Sequence, residues 1–416
     1  MLFDALTYNE RRQRLLQRLP DSFVAVLPPS SHKRSSADGR YPYVPNVNLL
    51  YLTGIATENV WLIMWKAPPN DPGEALFVDR PNEHYTKWVG EQLTPEKAAE
   101  STGIEKVLYN DQVEAFIDKK LIGKQIDELY LDYPLPGVSG VPSTRAEFAH
   151  RLASRYPHLP LTRLSDEVFA LRMLKEDGEV DLIRKAIDLS RRGLERAMGR
   201  LTPGMIECEF EAEMRYEWTK SGEREPAFQP IVAGGGRAAC LHYSDNDSEL
   251  EDGQLLLLDF GARYRGYNAD ISRTVPVNGR YSDRQRKLVE MVIDVQAEAI
   301  KLLRPGKTHG QWNAEVNERY SKRLIREGLI EREEDLEQVY YHRIGHHLGL
   351  DTHDEHLRYE EIRPGMVFTV EPGLYMADEN LGIRIEDDVL VGERKNEVLS
   401  VDIPKTPDEI ERLMRK

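Results

Sequence analysis

The sequence predicts an α/β domain followed by an α+β domain that contains an internal pseudo-twofold duplication. Short apolar runs such as Phe23–Leu27 and Val60–Trp65 alternate with helical stretches such as Pro95–Ser101, which indicates the α/β domain. A motif that occurs twice in the second part of the chain indicates the duplication. The length of 416 residues is typical of two domains, and we place them at residues 1–170 and 171–416.

Three further strands are predicted in the first domain, over the apolar runs Leu49–Leu52, Leu76–Val78 and Leu129–Leu131. The second domain is predicted to open with a helix in the charged segment Lys175–Asp188. Asp177 is a suitable N-terminal cap for that helix, because a carboxylate there can accept hydrogen bonds from free backbone N–H groups.

The repeated motif aligns residues 197–216 with residues 299–318. Each copy contains the end of one helix, a Pro-Gly stop and the start of another helix. A second shared pattern, of glycines and acids in the same order, spans residues 253–270 and 365–386. We therefore predict two halves, each with two helices followed by two strands, and one acid on each strand.

Composition excludes several classes of function. Acids outnumber bases by 71 to 56, for a net charge of −15, which argues against a nucleic-acid partner. The longest uninterrupted apolar run has six residues, whereas a membrane span needs roughly 18 or more. The N-terminus lacks the apolar core of a signal peptide, and there are only two cysteines. We expect a soluble, cytoplasmic protein without a membrane partner.

Four acids hold candidate positions for chemistry. Asp259 ends a run of four leucines, and Asp270 lies in a strand predicted over Ala269–Val275. Glu371 and Glu386 repeat the arrangement in the second half. Taken alone, Asp259 is better explained as a residue that caps the turn after its strand. If the halves face each other, however, four converging negative charges need compensation, and two divalent cations supply it.

Histidines strengthen the expectation of a metal site. Five of the eleven in the chain lie in the segment HRIGHHLGLDTHDEH, namely His342, His346, His347, His353 and His356. A solvated loop is the alternative interpretation, and adjacent His346 and His347 cannot both face one site. An imidazole with several carboxylates suits Mn²⁺, with Co²⁺ or Zn²⁺ as alternatives. Two such ions roughly 3.5–4 Å apart can polarise a carbonyl and share a bridging water or hydroxide, so we predict metal-assisted hydrolysis.

The segments LLLLDFGARYRGYNADISRT, HRIGHHLGLDTHD, TVEPGLY and GIRIEDD resemble those of the pita-bread metallopeptidases (M24 type), the group that includes aminopeptidase P, prolidase and methionine aminopeptidase. The resemblance covers essentially the whole second domain and implies its pseudo-twofold pita-bread fold. It implies five metal ligands, which are Asp259, Asp270, His346, Glu371 and Glu386.

By the same resemblance, Asp270 and Glu386 are expected to contact both metals. Asp259 would bind one metal, and His346 and Glu371 the other. Glu371 would also handle the proton of the bridging water.

The resemblance further implies catalytic histidines. His242 and His353 match residues that line the substrate cleft of proline-specific members, and His353 is expected to stabilise the tetrahedral intermediate. His342 matches another histidine on the substrate side. Tyr375 and Arg384 match positions that support the site.

The first domain distinguishes between relatives. Its segments Ser36–Tyr43 and Asn48–Gly54 resemble the N-terminal domain of aminopeptidase P. Methionine aminopeptidases lack such a domain, and prolidases have a related one. The resemblance implies a metallo-exopeptidase that hydrolyses the Xaa-Pro bond at the N-terminus of peptides with proline in the second position. The family commonly forms oligomers, so a homodimer or homotetramer is expected.

The sequence is also compared with three alternatives to an Xaa-Pro aminopeptidase. A prolidase must hold the free carboxylate of a dipeptide, and no cation precedes Arg384 between Glu371 and Glu386. A catalytically inactive binding member of the fold, and a metal-free hydrolase of the creatinase type, both conflict with the intact set of acids. Two departures from the family pattern, at His347 and at Glu355–Leu357, predict a reshaped pocket wall.

Overall fold

The computed structural model describes residues 3–122, 126–135, 143–357 and 360–415, in two compact units, Met1–Arg172 and Met173–Lys416. Each unit has a buried apolar core of its own. In the described part of the chain, no helix combines the length and apolar character that a bilayer span requires.

The first unit is built on one mixed β-sheet. Its helices are α1 (Ala5–Arg18), α2 (Val47–Thr53), α3 (Glu83–Val89), α4 (Pro95–Thr102), α5 (Val113–Leu121), α6 (Thr144–Arg155) and α7 (Ser165–Arg172). Its strands are β1 (Phe23–Leu27), β2 (Trp61–Ala67), β3 (Asn70–Val78), β4 (Val107–Tyr109), β5 (Glu128–Leu131) and β6 (Leu161–Arg163). The strand order is β4-β3-β2-β1-β5-β6, which confirms an α/β architecture for this unit.

One predicted strand in this unit is wrong. The run Leu49–Leu52 lies in helix α2, which begins after Asn46 and ends at Gly54. The Asn46 side chain accepts hydrogen bonds from the N–H groups of Asn48 and Leu49, and Gly54 adopts a left-handed conformation with φ of 72°. These two caps stabilise a helix in an apolar run whose length is equally compatible with a buried strand.

The second unit contains helices α8 (Asp177–Met198), α9 (Glu207–Lys220), α10 (Asp283–Leu302), α11 (His309–Arg326) and α12 (Pro407–Met414). Its strands are β7 (Ile231–Gly234), β8 (Leu255–Phe260), β9 (Arg263–Tyr264), β10 (Tyr267–Asn268), β11 (Ile271–Pro276), β12 (Val367–Val370), β13 (Gly373–Met376), β14 (Leu381–Arg384), β15 (Asp387–Leu390) and β16 (Glu397–Val398). Helix α8 is capped by Glu176, not by Asp177, because Glu179 accepts a hydrogen bond from the Glu176 N–H at 2.9 Å.

The duplication is visible in matching details of the two halves. Helices α8 and α9 precede the antiparallel sheet β7-β8-β11, and helices α10 and α11 precede the antiparallel sheet β12-β15-β16. Ile206 and Thr308 occupy equivalent positions and each donates its N–H to a side chain three residues later, at 2.9 Å. Each also forms an isolated bridge to a later glutamate, Glu249 or Glu361. The two halves are therefore built alike.

Candidate metal centre

Asp259 and Asp270 lie on one face of the first sheet, although not as directly paired residues. The residue opposite Asp259 on the neighbouring strand is Ser272. Asp270 precedes strand β11 and is two residues from Ser272, so its side chain shares the face of Asp259 as a diagonal neighbour. The prediction that Asp270 lies within the strand is therefore wrong by one residue. Its N–H instead bonds to Asp388 Oδ2 at 3.2 Å, outside the regular ladder.

Glu371 and Glu386 also lie just outside their strands. Glu371 follows β12, and its N–H donates to the carbonyl of Ile344. Glu386 lies between β14 and β15, and its N–H donates to the carbonyl of Ser272. The predicted continuous strand through Glu386 is thus two short strands. The bonds of Glu386 with Ser272 and of Asp270 with Asp388 connect the two halves and bring their acids together.

His346 is held against strand β12 by its backbone. Its N–H donates to Thr369 Oγ1 at 3.0 Å, and its carbonyl accepts from the Thr369 N–H at 2.9 Å. A Cβ at the neighbouring Gly345 would be only 2.0 Å from the Thr369 carbonyl oxygen. Gly345 therefore permits a close approach between the two backbones.

The five predicted ligands converge in the structure. His346 Nε2 is 3.3 Å from Asp270 Oδ2 and 3.7 Å from Glu371 Oε1. Two groups with donor atoms all within 4.8 Å of one another could each hold a metal ion, and Glu386 belongs to both. The first group is Asp259, Asp270 and Glu386, and the second is His346, Glu371 and Glu386. A third group joins Asp270, His346 and His353.

Arg384 is the only cation that donates a hydrogen bond to these acids in the described part of the chain. It donates to Asp259 Oδ2 at 2.6 Å, to Ser272 Oγ at 2.8 Å and to Tyr375 Oη at 3.0 Å. Ser272 Oγ in turn donates to Glu386 Oε2 at 2.8 Å. One arginine thus positions two of the four carboxylates, one directly and one through a serine.

A single arginine does not compensate four carboxylates. Burial and the neighbouring Asp259 raise the pKa of Asp270 well above its usual range. Burial and Asp270 do the same to the pKa of Glu386. Burial raises the pKa of Glu371 to about 7, although His346 and Arg384 act to lower it. Buried carboxylates that repel one another in this way are stabilised in their ionised form by a cation.

The donor set fits a pair of divalent ions. Asp259 Oδ1 is buried and has no hydrogen-bond partner, so it retains a free lone pair for a cation. The convergent donors are mostly carboxylate oxygens with one or two imidazoles, a set that suits hard or borderline divalent metals. We therefore regard this cluster as a candidate metal centre.

The predicted catalytic histidines surround the cluster. The ring of His353 stacks on that of His346, with centroids 3.9 Å apart. His342 Nε2 is 2.8 Å from Tyr375 Oη, and His342 Nδ1 is 3.6 Å from Glu371 Oε2. Burial lowers the pKa of both His342 and His353 to about 4, with smaller effects from nearby positive groups. Both rings are therefore neutral near pH 7.

A cavity of about 810 Å³ opens onto the centre. It is lined by all five predicted ligands and by His242, His342 and His353. Phe228, Ile231 and Leu241 form an apolar part of its wall, and Ile231 lies directly opposite Asp259 across the β7–β8 pair. The cavity is large enough for a short peptide.

Sequence reasoning missed several residues of this cavity. His309, at the start of α11, lines it and places Nε2 2.7 Å from the Gly345 carbonyl oxygen. The sequence contains only a weak indication of this position, because a single histidine after an N-terminal threonine cap matches no known motif. His347, expected to alter the pocket directly, is buried against Phe368 and His356, with centroids 4.1 and 4.8 Å away. His356 lines the cavity, whereas His347 does not.

Comparisons with known proteins agree with this arrangement. The profile of metallopeptidase family M24 matches residues 181–393, and that of the aminopeptidase P N-terminal domain matches residues 8–130. The Xaa-Pro aminopeptidase of Escherichia coli strain K12 is 30% identical over 98% of this chain and 97% of that protein.

Two solved structures extend the comparison. A candidate aminopeptidase P from Bacillus anthracis is 36% identical and covers 99% of both chains with a TM-score of 0.95. Zinc-substituted aminopeptidase P from Escherichia coli, in complex with product, is 30% identical and covers 100% of this chain and 99% of that chain, with a TM-score of 0.88. These matches span both units and confirm the predicted pita-bread architecture. The chain belongs to metallopeptidase family M24.

Proposed function

We propose that this protein is an Xaa-Pro aminopeptidase, which hydrolyses the bond before a proline in the second position of a peptide. The observation that carries the proposal is the convergence of five candidate ligand side chains on one cavity that His242 and His353 also line. Aminopeptidase P and Xaa-Pro aminopeptidase relatives over nearly the full length support the same activity.

We assign Asp259, Asp270, His346, Glu371 and Glu386 as the residues that would hold two divalent ions. When bound, such ions supply Lewis-acid polarisation of the scissile carbonyl and a water nucleophile at neutral pH. Mn²⁺ is our proposal for the native metal because carboxylate oxygens dominate the donor set.

The protein side chains have separate roles in this proposal. Glu371, whose carboxylate lines the cavity beside His346, takes a proton from the attacking water and returns it to the leaving proline nitrogen. Neutral His353 donates a hydrogen bond to the tetrahedral intermediate. His242 lines the proline side of the cavity, while His342 orients Tyr375 and faces Glu371.

The cavity walls define the direction of the peptide. Phe228, Ile231 and Leu241 form an apolar part of the cavity wall, with Ile231 opposite Asp259, and this part suits the side chain of the N-terminal residue. The unpartnered Asp259 Oδ1 can accept a hydrogen bond from the substrate α-amino group as well as ligate a cation. The proline and the following residues then extend toward His342 and His309.

The test is a panel of the peptides Ala-Pro, Ala-Pro-Ala and Ala-Pro-Ala-Ala, assayed with Mn²⁺ and after chelation. We expect cleavage at the Ala-Pro bond of the longer peptides, its loss on chelation and its recovery when Mn²⁺ returns. Activity that survives chelation would contradict the metal mechanism. The exposed Asp378→Asn variant is a matched control, because it removes an acid outside the cavity.

Xaa-Pro dipeptidase activity is the second candidate, since the cavity also contains Arg343, a cation that could hold the carboxylate of a dipeptide. Cleavage of Ala-Pro alone would transfer the assignment to prolidase.

The homodimer or homotetramer and the cytoplasmic location stay predictions. Size-exclusion chromatography with light scattering would test the first, and cell fractionation would test the second.

A further inference from the structure

Arg343 lines the catalytic cavity and takes no part in the bond cleavage proposed above. It follows His342 directly, and its backbone carbonyl oxygen is 2.8 Å from His342 Nδ1. Its side chain is exposed on the cavity wall. Within the described ranges, its guanidinium makes no ion pair or hydrogen bond with another residue. Arg343 therefore presents a positive group with five N–H donors to the cavity.

None of the described residues supplies Arg343 with a fixed counter-charge. Glu355 lines the same cavity, yet its carboxylate is not within the 4.0 Å ion-pair distance of Arg343. His309 lies on this side as well. Burial lowers its pKa, the hydrogen bond with Gly345 raises it, and the positive charge of Arg343 lowers it again. The guanidinium thus acts on the part of the cavity that His309 lines.

The part of the cavity near Arg343 differs from the apolar part. Ile231, in the apolar part, lies opposite Asp259, whereas Arg343 directly follows His342, whose Nδ1 is 3.6 Å from Glu371 Oε2. If the N-terminal residue occupies the apolar part, as the proposed function requires, the residues after the scissile bond extend toward Arg343. A planar guanidinium without a partner is suited to bind a carboxylate there.

We infer that Arg343 forms a carboxylate subsite for the part of the substrate that follows the scissile bond. The inference rests on the proposed function and deepens it. Two sources offer the same chemistry, the C-terminal carboxylate of a short peptide and an acidic side chain in the third position. The subsite would make this enzyme favour short or acidic Xaa-Pro peptides over neutral ones of the same length.

Four peptides separate the two sources. Ala-Pro-Ala is compared with its C-terminal amide, and Ala-Pro-Glu-amide is compared with Ala-Pro-Gln-amide, by kcat/KM at low salt. We expect the native protein to favour one or both charged peptides by about twofold to fivefold, the range of a partly exposed ion pair. In Arg343→Met that preference should fall to about one, because the charged peptide loses rate and the neutral one does not.

Two further variants serve as controls. Arg343→Lys keeps the charge but loses the planar fork, so it should retain part of the preference. Arg326→Met removes an exposed arginine that lies outside the catalytic cavity and should change neither member of a pair.

The outcomes are distinguishable. A native protein that cleaves both members of each pair with equal kcat/KM overturns the subsite and leaves the proposed function intact. An unchanged preference in Arg343→Met, or an equal loss on charged and neutral peptides, also overturns it. Failure of the native protein to cleave any of the four peptides overturns the proposed function itself.

Discussion

Two consecutive buried acids in the catalytic unit, Glu386 and Asp387, have opposite electrostatic environments. Glu386 faces the other carboxylates, and its pKa is raised by burial and by Asp270. Asp387 accepts hydrogen bonds from Arg273 at 2.8 Å and from Lys405 at 2.5 Å. Its pKa is lowered, because the two cations outweigh an opposing effect of burial.

The comparison distinguishes a structural acid from a ligand. Asp387 has its counter-charges within the protein, from Arg273 and Lys405, and Ser400 Oγ donates to it as well at 2.7 Å. The Glu386 carboxylate accepts a hydrogen bond from the Ser272 hydroxyl, and three further acids lie near it. A buried carboxylate without enough protein cations points to a cation supplied from outside. The four predictions below test this distinction.

The largest effect is expected from Asp387→Asn, and it should be on stability. The change leaves Arg273 and Lys405 buried or half-buried without their anion, which costs about 3–5 kcal/mol. The measurement is the free energy of unfolding in denaturant. Because Asp387 does not face the cavity, the folded variant should keep most of its peptidase activity. A stability equal to that of the native protein would contradict the comparison.

Asp270→Asn should instead lower activity. Loss of a charged donor shared by two candidate metal groups should lower kcat/KM roughly 100- to 1,000-fold. Its free energy of unfolding in the absence of metal should change little or rise, because one of several repelling buried charges is removed. A variant with the native rate would refute the assignment of Asp270 as a ligand.

Removal of the metal should again distinguish the structural acid Asp387 from the candidate ligand Asp270. Mn²⁺ at 100 times its dissociation constant should stabilise the native protein by about 2.7 kcal/mol relative to the chelated protein, if it binds only the folded state. The measurement is thermal unfolding across a Mn²⁺ titration. Asp387→Asn should retain this increment and Asp270→Asn should lose much of it. The same increment in both variants would show that Mn²⁺ binds elsewhere.

The smallest effect is expected from an exposed ion pair. Arg284 donates to Glu379 at 2.6 Å, with 57% and 44% of the side chains exposed. Arg284→Ala should change the free energy of unfolding by less than about 1 kcal/mol, because water already solvates both charges. A loss as large as that of Asp387→Asn would mean that burial does not explain the difference between the buried acids.

Much of the site was predictable because its residue types and spacings recur in the sequence. The paired glycine and acid patterns located Asp259, Asp270, Glu371 and Glu386, and the histidine segment added His346. The structure brings all five around one cavity. Their assignment as ligands stays a prediction until metal binding is measured.

Other features were not predictable from local patterns. The pairing of Asp259 with Ser272 depends on strand register, and the helix over Leu49–Leu52 depends on its two caps. Short apolar or polar segments are compatible with more than one environment, and contacts distant in sequence decide between them.

The sequence by itself determined the fold class, the duplication and the set of acids and histidines, because these are properties of residue order. Only the tertiary structure decided which buried acid has a protein cation. Arg273 and Lys405 are 114 and 18 residues away from Asp387 along the chain, and Arg384 reaches Asp259 across 125 residues. The electrostatic environment of a carboxylate depends on distance in space, and folding alone brings these charges together.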